Sequence, residues 1–371
     1  MDQAKSHFSY SKFSIILIGI VAFFYILYVG QDIIVPLVFA TIIAILLNPL
    51  VNYLSKVKVN KVLAILIALT FAILLLGGLT YFIVSQATMF SESLPEIKKN
   101  LLILFNEMIL WISQTFNVST ANINNWINNT KGEGLDNSSA VIGQTLGTIG
   151  GVFVLIFLLP VYVFMILYYK PLLLEFISQL FHPEKHIVVT EVLLESKSLI
   201  QSYLVGLLLE AALVATLNSV GLLIIGVEYA ILIGIIGALL NIIPYIGGMI
   251  AVTIPMLLAV ASDTPFDAVW VFVLYMVVQF IDNNFFVPTI VARKVKVNAL
   301  VSIIVVLIGG AFWGFSGMFL SIPLIAICKV VFDRIEMLTP LGFLIGDNQP
   351  DLGKEFFDLK THIKKIAGKK K

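Results

Sequence analysis

The chain has 371 residues, of which 59% are hydrophobic and only 12% are charged, and its mean hydropathy is +1.02. This balance lies far outside that of a soluble domain and predicts an all-α, polytopic membrane protein whose main partner is the lipid bilayer. A net charge of +1 gives no reason to expect nucleic acid as a partner, and the single cysteine, Cys328, excludes an intrachain disulfide.

Six apolar runs are long enough to cross the membrane completely, which takes about 20 residues of helix. In chain order they are residues 13–29, 33–50, 62–84, 146–169, 204–226 and 266–287. The first run follows Lys5 and Lys12, as the apolar part of a signal peptide would, but no small-residue cleavage site follows it. We therefore expect an uncleaved first membrane helix.

Two polar segments between these runs are expected to lie outside the hydrocarbon. Residues 85–139 are rich in Asn and Ser and carry more acids than lysines, which suits an external helical subdomain. Within it, apolar residues from Leu94 to Trp111 recur at helical spacing and predict an amphipathic helix, packed on the protein's own surface or presented to a partner. Residues 183–202 alternate charged and apolar side chains, which predicts a cytoplasmic interfacial helix.

Two further apolar runs are longer and contain helix breakers. Residues 230–260 include the octet Asn241-Ile-Ile-Pro244-Tyr-Ile-Gly247-Gly248, and residues 300–331 are interrupted at Gly309, Gly310, Gly314 and Gly317. Proline removes a backbone donor and glycine lowers helix propensity, so both segments free peptide groups that lipid cannot satisfy. We predict broken helices whose hinges face a protein-lined path for a substrate or an ion.

The charge distribution separates two topologies for the interrupted runs. If each were a single crossing, eight helices would result and the cluster Arg293-Lys294-Val295-Lys296 would face outward, against the positive-inside tendency. If each turns back as a re-entrant hairpin, both termini, the basic loop before Lys61 and the Arg293 cluster become cytoplasmic, and the loops with Glu228 and Asp263 become external. We favour two hairpins that enter from opposite sides as an inverted pair.

These features divide the chain into five parts. They are N-terminal membrane helices (1–84), an external helical insertion (85–145), a membrane helix followed by the interfacial helix (146–203), a transport core with both broken segments (204–338) and a basic cytoplasmic tail (339–371). The candidate ligand residues fall within the transport core.

Glu210 lies midway along the run 204–226, where a charged carboxylate costs about 2.5 to 3.5 kcal/mol on insertion scales. Gly206 and Asn218 continue the same stripe, one turn before it and two turns after it. One interpretation is a site for a proton or a cation, and the other is a buried hydrogen bond between packed helices. The sequence leaves both open.

A second polar group lies just before Pro288. Gln279, Asp282 and Asn283 fall at positions i, i+3 and i+4, so they share one helix face. Their oxygens suit a hard cation such as sodium, or the hydroxyls of a small polar solute, although a helix cap at the cytoplasmic interface would use the same residues. Asn241 is expected either to contact the ligand or to satisfy backbone groups freed by Pro244.

Enzymatic functions find little support. Gly314-Phe-Ser316-Gly317 matches the Gly-x-Ser-Gly of intramembrane serine proteases, but the four histidines all lie outside the membrane runs, so no catalytic dyad forms. There is no phosphate-binding lysine loop, and no set of His and Cys has metal-ligand spacing. We therefore expect no catalytic residue, no metal site and no cofactor.

Several motifs resemble those of the autoinducer-2 exporter-like (AI-2E) family of bacterial membrane proteins. They are Gly226-Val-Glu-Tyr-Ala, the octet that begins at Asn241, Gln279-Phe-Ile-Asp-Asn-Asn-Phe-Phe-Val-Pro, and the stretch from Gly309-Gly to Ser321-Ile-Pro323. The resemblance implies a multipass permease, usually drawn with eight helices, that exports autoinducer-2 or exchanges sodium or lithium for protons. It also implies a homo-oligomer, with pentamers among the suggested states.

The chain departs from the family pattern at two places. Gly248 stands where the family usually has proline, and Asn298-Ala299 replaces a His-Pro or Asn-Pro pair. Both positions lie near the expected site, so the resemblance leaves the substrate open.

We therefore hypothesise a secondary transporter in the cell membrane, which exports a small polar solute or exchanges sodium or lithium for protons. The alternative is a non-transporting membrane scaffold that acts through its external subdomain and basic tail. Transport is favoured because a scaffold has no need of paired broken helices.

Overall fold

The computed structural model describes residues 10–116, 119, 157–242, 246–261, 266–292 and 297–347. Within these ranges the chain is helical, apart from one isolated bridge between Val297 and Gly346, so the all-α prediction is confirmed. In chain order the helices are α1 (Tyr10–Val29), α2 (Gln31–Lys56), α3 (Lys61–Phe116), α4 (Phe157–Tyr168), α5 (Lys170–Gln179), α6 (His186–Ile225), α7 (Ala230–Asn241), α8 (Ile246–Ala261), α9 (Asp267–Ile281), a π-helix (Asp282–Ala292), α10 (Ala299–Phe332) and α11 (Thr339–Ile345).

The described helices have the length and surface of membrane helices. Five are long and apolar enough to cross a membrane, or six if α4 and α5, which meet at 66°, form one bent span. Large apolar side chains cover their outer surfaces; Leu74 is 70% exposed and Ile18 is 66% exposed. Surfaces of this kind are unfavourable in water and favourable in lipid, which confirms a multipass membrane protein.

Two boundaries drawn from the sequence lie inside continuous helices. α3 runs from Lys61 to Phe116 without a break at residue 84, and α6 joins the expected interfacial helix to the following crossing as one 40-residue helix. Polarity changes at both places, but neither a glycine nor a proline interrupts the helical hydrogen bonds there. In the part of α3 beyond residue 84, Met108 is 51% exposed and Trp111 60% exposed.

Several predicted features lie outside the described residues. They are residues 120–156, which include most of the external insertion and the start of the run 146–169, the Arg293 cluster and the basic tail beyond residue 347.

α6 lies at the centre of the packing. Its first half joins α2 and α10 in one buried cluster around Tyr203, Leu207 and Leu320, and its second half joins α7, α8 and α9 in another around Leu222 and Val271. A third cluster connects α2, α3 and α4. Because it contributes to two of these clusters, α6 fixes both broken segments relative to each other.

The first interrupted run forms two helices that pack side by side. α7 and α8 contribute Ala230, Ile233, Ala251 and Ala259 to the same buried cluster. A Cβ added at Gly237 would lie 3.6 Å from the Cβ of Ala251, so the two helices are in contact at this level. The chain therefore turns back between α7 and α8.

The second interrupted run also turns back, within α10. Trp313 (φ −131°, ψ 19°) and Gly314 (φ 58°, ψ −139°) leave helical geometry. Ser321 Oγ lies 2.8 Å from the carbonyl oxygen of Val305, 16 residues earlier. A straight helix would separate these residues by about 24 Å, so the two arms of α10 fold onto each other. Gly314 adopts a positive φ that a Cβ would strain.

Contacts at both ends hold this folded helix in place. At its tip, Trp313 Nε1 donates a hydrogen bond to the carbonyl of Leu27 at 3.1 Å, near the end of α1. At its base, Asn298 caps the first turn, with its Oδ1 2.9 Å from Val301 N. Arg334 donates to Glu191 at 2.5 Å and to Glu195 at 3.1 Å, which ties the base to the first turns of α6.

Alanine substitutions at the contact between the arms should destabilise the protein. A Cβ at Gly309 would overlap the Gly317 backbone, and a Cβ at Gly317 would overlap the Gly309 carbonyl. We expect Gly309→Ala and Gly317→Ala each to cost about 1–3 kcal/mol, as overpacked sites do, and to lower the thermal unfolding midpoint of the purified protein.

The matched control is Gly77→Ala, because nothing lies within 4 Å of a Cβ added there. Alanine favours helix over glycine, so this variant should keep or raise the midpoint. Midpoints that stay unchanged at both Gly309 and Gly317 would contradict the back-folded geometry.

Candidate functional site

A buried carboxylate marks the point where α9 changes into the π-helix. Asp282 is 2% exposed, and its Oδ2 accepts a hydrogen bond from Asn241 Nδ2 at 2.8 Å. Asn241 is the last residue of α7, so this bond joins the end of one broken helix to the start of another irregular segment. Both residues were candidates on sequence grounds, and the structure brings them together.

The irregular winding after Asp282 follows from the local sequence. Pro288 has no N–H, and its ring conflicts with the carbonyl four residues earlier, so it disfavours regular α-helical winding over the preceding turn. The chain forms a π-helix over Asp282–Ala292 instead. π-helical winding is rare in proteins, and where it occurs it is often found at functional sites. Gly206 allows α6 to approach this segment closely, since a Cβ there would lie 2.8 Å from the carbonyl oxygen of Ile290.

A small cavity of about 10 Å³ lies beside Asp282. Its walls come from α6, α7, α8, α9 and the start of the π-helix: Val214, Asn218, Gly237, Asn241, Ala251, Tyr275, Val278, Gln279 and Asp282. A space of this size holds about one water molecule or a small ion. Gly237 keeps it open, because a Cβ there would lie 3.2 Å from Tyr275 Oη and 3.6 Å from Asn218 Nδ2.

Three buried oxygens of the lining residues have no hydrogen-bond partner in the described part of the chain. They are Asn218 Oδ1, Tyr275 Oη and Asp282 Oδ1. An unpaired buried polar atom usually costs about 1–3 kcal/mol. A site with several such oxygens around one small space is suited to a ligand that supplies the missing interactions, either a hard cation or a hydrogen-bond donor.

Glu210 lies one helical turn before Val214 and is 6% exposed. It is near enough to Asp282 for the two carboxylates to interact electrostatically. No Lys, Arg or His forms an ion pair with either carboxylate within the described ranges. Glu210 and Asp282 are therefore two buried acidic groups without a balancing cation among the described residues.

Asn283 differs in its surroundings from Gln279 and Asp282, which both line the cavity. Gln279 lines the cavity and donates a hydrogen bond to Asn283 Oδ1 at 3.3 Å, while Asn283 is exposed. Asp282 is buried and the next residue, Asn283, is exposed, so the polar face expected from the sequence is divided between the cavity and the surface. Asn283 contacts the described cavity lining through this hydrogen bond with Gln279.

None of the four predicted hinge glycines of α10 is among the described residues that line the cavity. Gly247 and Gly248 lie in the first turn of α8, and Pro244 lies outside the described residues. The four glycines of α10 build its reversal: Gly309 and Gly317 at the contact of the arms, Gly310 against Met318, and Gly314 at the turn.

Tyr275 was not predicted as a site residue from the sequence, and Asn218 was predicted only as part of the polar stripe that contains Glu210. A signal was present, because Tyr275, Gln279 and Asp282 fall at i, i+4 and i+7 on one face of α9. Tyrosine in a membrane helix is commonly assigned to the aromatic belt at the membrane interface. A tyrosine whose hydroxyl is buried inside the protein is therefore easily overlooked.

An apolar pocket of about 120 Å³ adjoins the polar cavity. It is lined by Phe90, Leu232, Ile233, Ile236, Gly237, Leu240 and Ala251. Gly237 and Ala251 belong to both linings, so the contact between α7 and α8 forms the wall between an apolar space and a polar one.

Comparison with known proteins gives a consistent result. The family model described as "AI-2E family transporter" matches residues 15–337. The chain is 28% identical to "Putative transport protein YueF" of Bacillus subtilis (strain 168), over 82% of this chain and 85% of that protein. It is 25% identical to "Putative transport protein YhhT" of Escherichia coli (strain K12), over 87% and 91%. It is 24% identical to "AI-2 transport protein TqsA" of the same strain, over 86% and 90%.

A double-mutant cycle measures the bond between Asn241 and Asp282. Asn241→Ala leaves the buried carboxylate without its partner, and Asp282→Ala leaves the amide without its acceptor. We expect the two effects on the free energy of unfolding to be non-additive, with a coupling of about 1–3 kcal/mol. The measurement is denaturant unfolding of the four proteins in mixed micelles. Additivity within about 0.5 kcal/mol would contradict the hydrogen bond.

Proposed function

The chain belongs to the AI-2E transporter family, and on that premise we propose that it is a secondary transporter that exchanges sodium or lithium ions for protons. The observation that carries this proposal is the cavity of about 10 Å³ beside Asp282, with three unpaired oxygens in its lining. Oxygen ligands of a carboxylate, a hydroxyl and an amide suit a hard cation. The space accepts a dehydrated small ion but not an organic solute.

Two acidic groups provide the chemistry of exchange. Asp282 would hold either a proton or the cation through Oδ1, while its Oδ2 remains bonded to Asn241. Glu210 interacts with Asp282 electrostatically, so a charge gained at one site changes the affinity of the other. The two carboxylates repel each other when both are ionised and shielded from water, and a bound cation or a bound proton removes this repulsion. The cation and the proton therefore compete for the same site.

The two back-folded segments would supply the access paths. We propose that α7 and α8 enter from outside and that the arms of α10 enter from the cytoplasm, with both termini cytoplasmic. The arms of α10 have roughly 14 and 18 residues, or about 21 and 27 Å, so the first is clearly and the second slightly shorter than the hydrocarbon thickness of about 30 Å. Broken helices of opposite orientation around a central site are the arrangement by which transporters alternate access.

Neutralising either carboxylate should abolish ion exchange. In proteoliposomes that carry a pH-sensitive dye, external NaCl or LiCl should drive proton movement in the wild type, and choline chloride should not. We expect Asp282→Asn to abolish the signal, because an amide neither holds the proton nor balances the cation. Glu210→Gln should reduce it at least tenfold, if the two charges act together as proposed.

The control is Glu228→Gln, which makes the same chemical change at an exposed residue just after the end of α6. It should leave the flux unchanged, and all variants should have the elution volume of the wild type. Full sodium-dependent proton movement in Asp282→Asn would refute exchange at this site. Lack of cation-driven flux in the folded wild type would refute the proposed activity itself.

Export of a small polar solute is the second candidate, and the similarity to "AI-2 transport protein TqsA" favours it. In this conformation the cavity is too small for such a solute, so export would need a wider state. A strain that lacks the protein should then retain more autoinducer-2 inside the cell and release less of it into the medium. The wild-type gene should restore the release. Equal extracellular levels in the deleted and restored strains would exclude this candidate for that signal.

A further inference from the structure

Three lysines from different helices meet at the same end of the membrane core. Lys61 begins α3, Lys170 begins α5 and Lys197 lies in the first half of α6. Partial burial and the nearby charges of Lys197 and Lys61 lower the pKa of Lys170. The ammonium of Lys170 therefore lies near those of Lys61 and Lys197, and the printed contacts of Lys61 and Lys170 place both at the junction of α4 and α5.

Polar contacts hold two of these lysines in place. Lys170 Nζ donates to Asn48 Oδ1 at 2.9 Å, and Asn48 is 5% exposed. Lys61 Nζ donates to the carbonyl of Tyr168 at 2.9 Å and lies 5.5 Å from the centre of the Tyr168 ring. Each ammonium has three N–H donors, so two on each of these lysines are left for a ligand.

No carboxylate balances this charge within the described residues. The ion pairs found there join Lys329 to Asp333 and Arg334 to Glu191 and Glu195, and none includes Lys61, Lys170 or Lys197. A fold that gathers three cations without an acid bears a repulsion that a bound anion would relieve.

The position of the lysine cluster indicates which class of anion it would meet. Lys61 starts the apolar run 62–84, and Lys170 follows directly on α4, so both lie where membrane helices leave the hydrocarbon. Tyr168 and Tyr169 are 40% and 47% exposed at the same level, as expected for the aromatic belt at a membrane interface. The anions concentrated at this depth are the phosphates of lipid headgroups.

We infer that Lys61, Lys170 and Lys197 together bind the phosphate of an anionic phospholipid headgroup. The site lies between the start of α3, the junction of α4 and α5, and the first half of α6, and the exposed rings of Tyr168 and Tyr169 face the adjoining lipid. This inference stands apart from the transported ion, because none of its residues lines the cavity at Asp282.

Native mass spectrometry of the full chain in detergent tests the inference. Phosphatidylglycerol and phosphatidylcholine are titrated separately, and a third arm adds 10 mM inorganic phosphate to the phosphatidylglycerol titration. We expect the wild type to bind phosphatidylglycerol more tightly than phosphatidylcholine, with no displacement by free phosphate. The double variant Lys170→Gln, Lys197→Gln should weaken phosphatidylglycerol binding roughly 30-fold, at about fivefold for each lysine.

The matched control is Lys56→Gln, Lys185→Gln, which removes the same charge from two exposed lysines outside the cluster. It should leave the affinity within about twofold of the wild type. Because Lys170 also anchors Asn48, Lys197→Gln alone provides a second variant with an intact anchor, and it should lose about fivefold. Equal losses in the control, unchanged affinity in Lys197→Gln, or displacement by free phosphate would each overturn the inference.

Discussion

The hydrogen bond between Asn241 and Asp282 is the contact on which the membrane core depends. It connects the end of α7 to the start of the π-helix, and it gives a buried carboxylate its one side-chain partner in the described chain. A carboxylate at 2% exposure is costly without such a partner, so the bond constrains where α7 ends and where the π-helix begins. The second oxygen of Asp282 is left unpaired at the cavity, and that is the feature to which we attribute function.

The two chain reversals satisfy the polar groups at their turns in different ways. In α10, Gly309 and Gly317 let the two arms touch, and Ser321 Oγ lies within hydrogen-bond distance of the carbonyls of Gly317 and Val305. The turn is thereby packed against its own arms. Between α7 and α8, the polar group at the turn instead bonds to a residue of another helix. The first arrangement suits a structural hairpin, and the second leaves a polar end that a ligand can compete for.

The sequence predicted the polar residues of the core better than the limits of its helices. Glu210, Asn241 and Asp282 were recognisable because buried polar groups in apolar runs are costly and therefore need partners. Asn283 was grouped with Asp282 by α-helical spacing, and in the structure Asp282 is buried whereas Asn283 is exposed. The ends of α3 and α6 escaped prediction, because hydrogen bonding continues through a change of polarity. The contact of Gly237 with Ala251 depends on tertiary packing, which no local pattern encodes.

The most direct test measures ion binding to a purified variant in which an added apolar side chain fills the cavity and no charge is changed. Gly237→Val places side-chain atoms between Tyr275 and Asn218, whereas Gly77→Val adds the same atoms in open space. Calorimetric titration with NaCl, LiCl and choline chloride should give saturable binding of sodium or lithium in the wild type and in Gly77→Val, and no binding in folded Gly237→Val. Undiminished sodium and lithium binding in Gly237→Val would contradict a cation site beside Asp282.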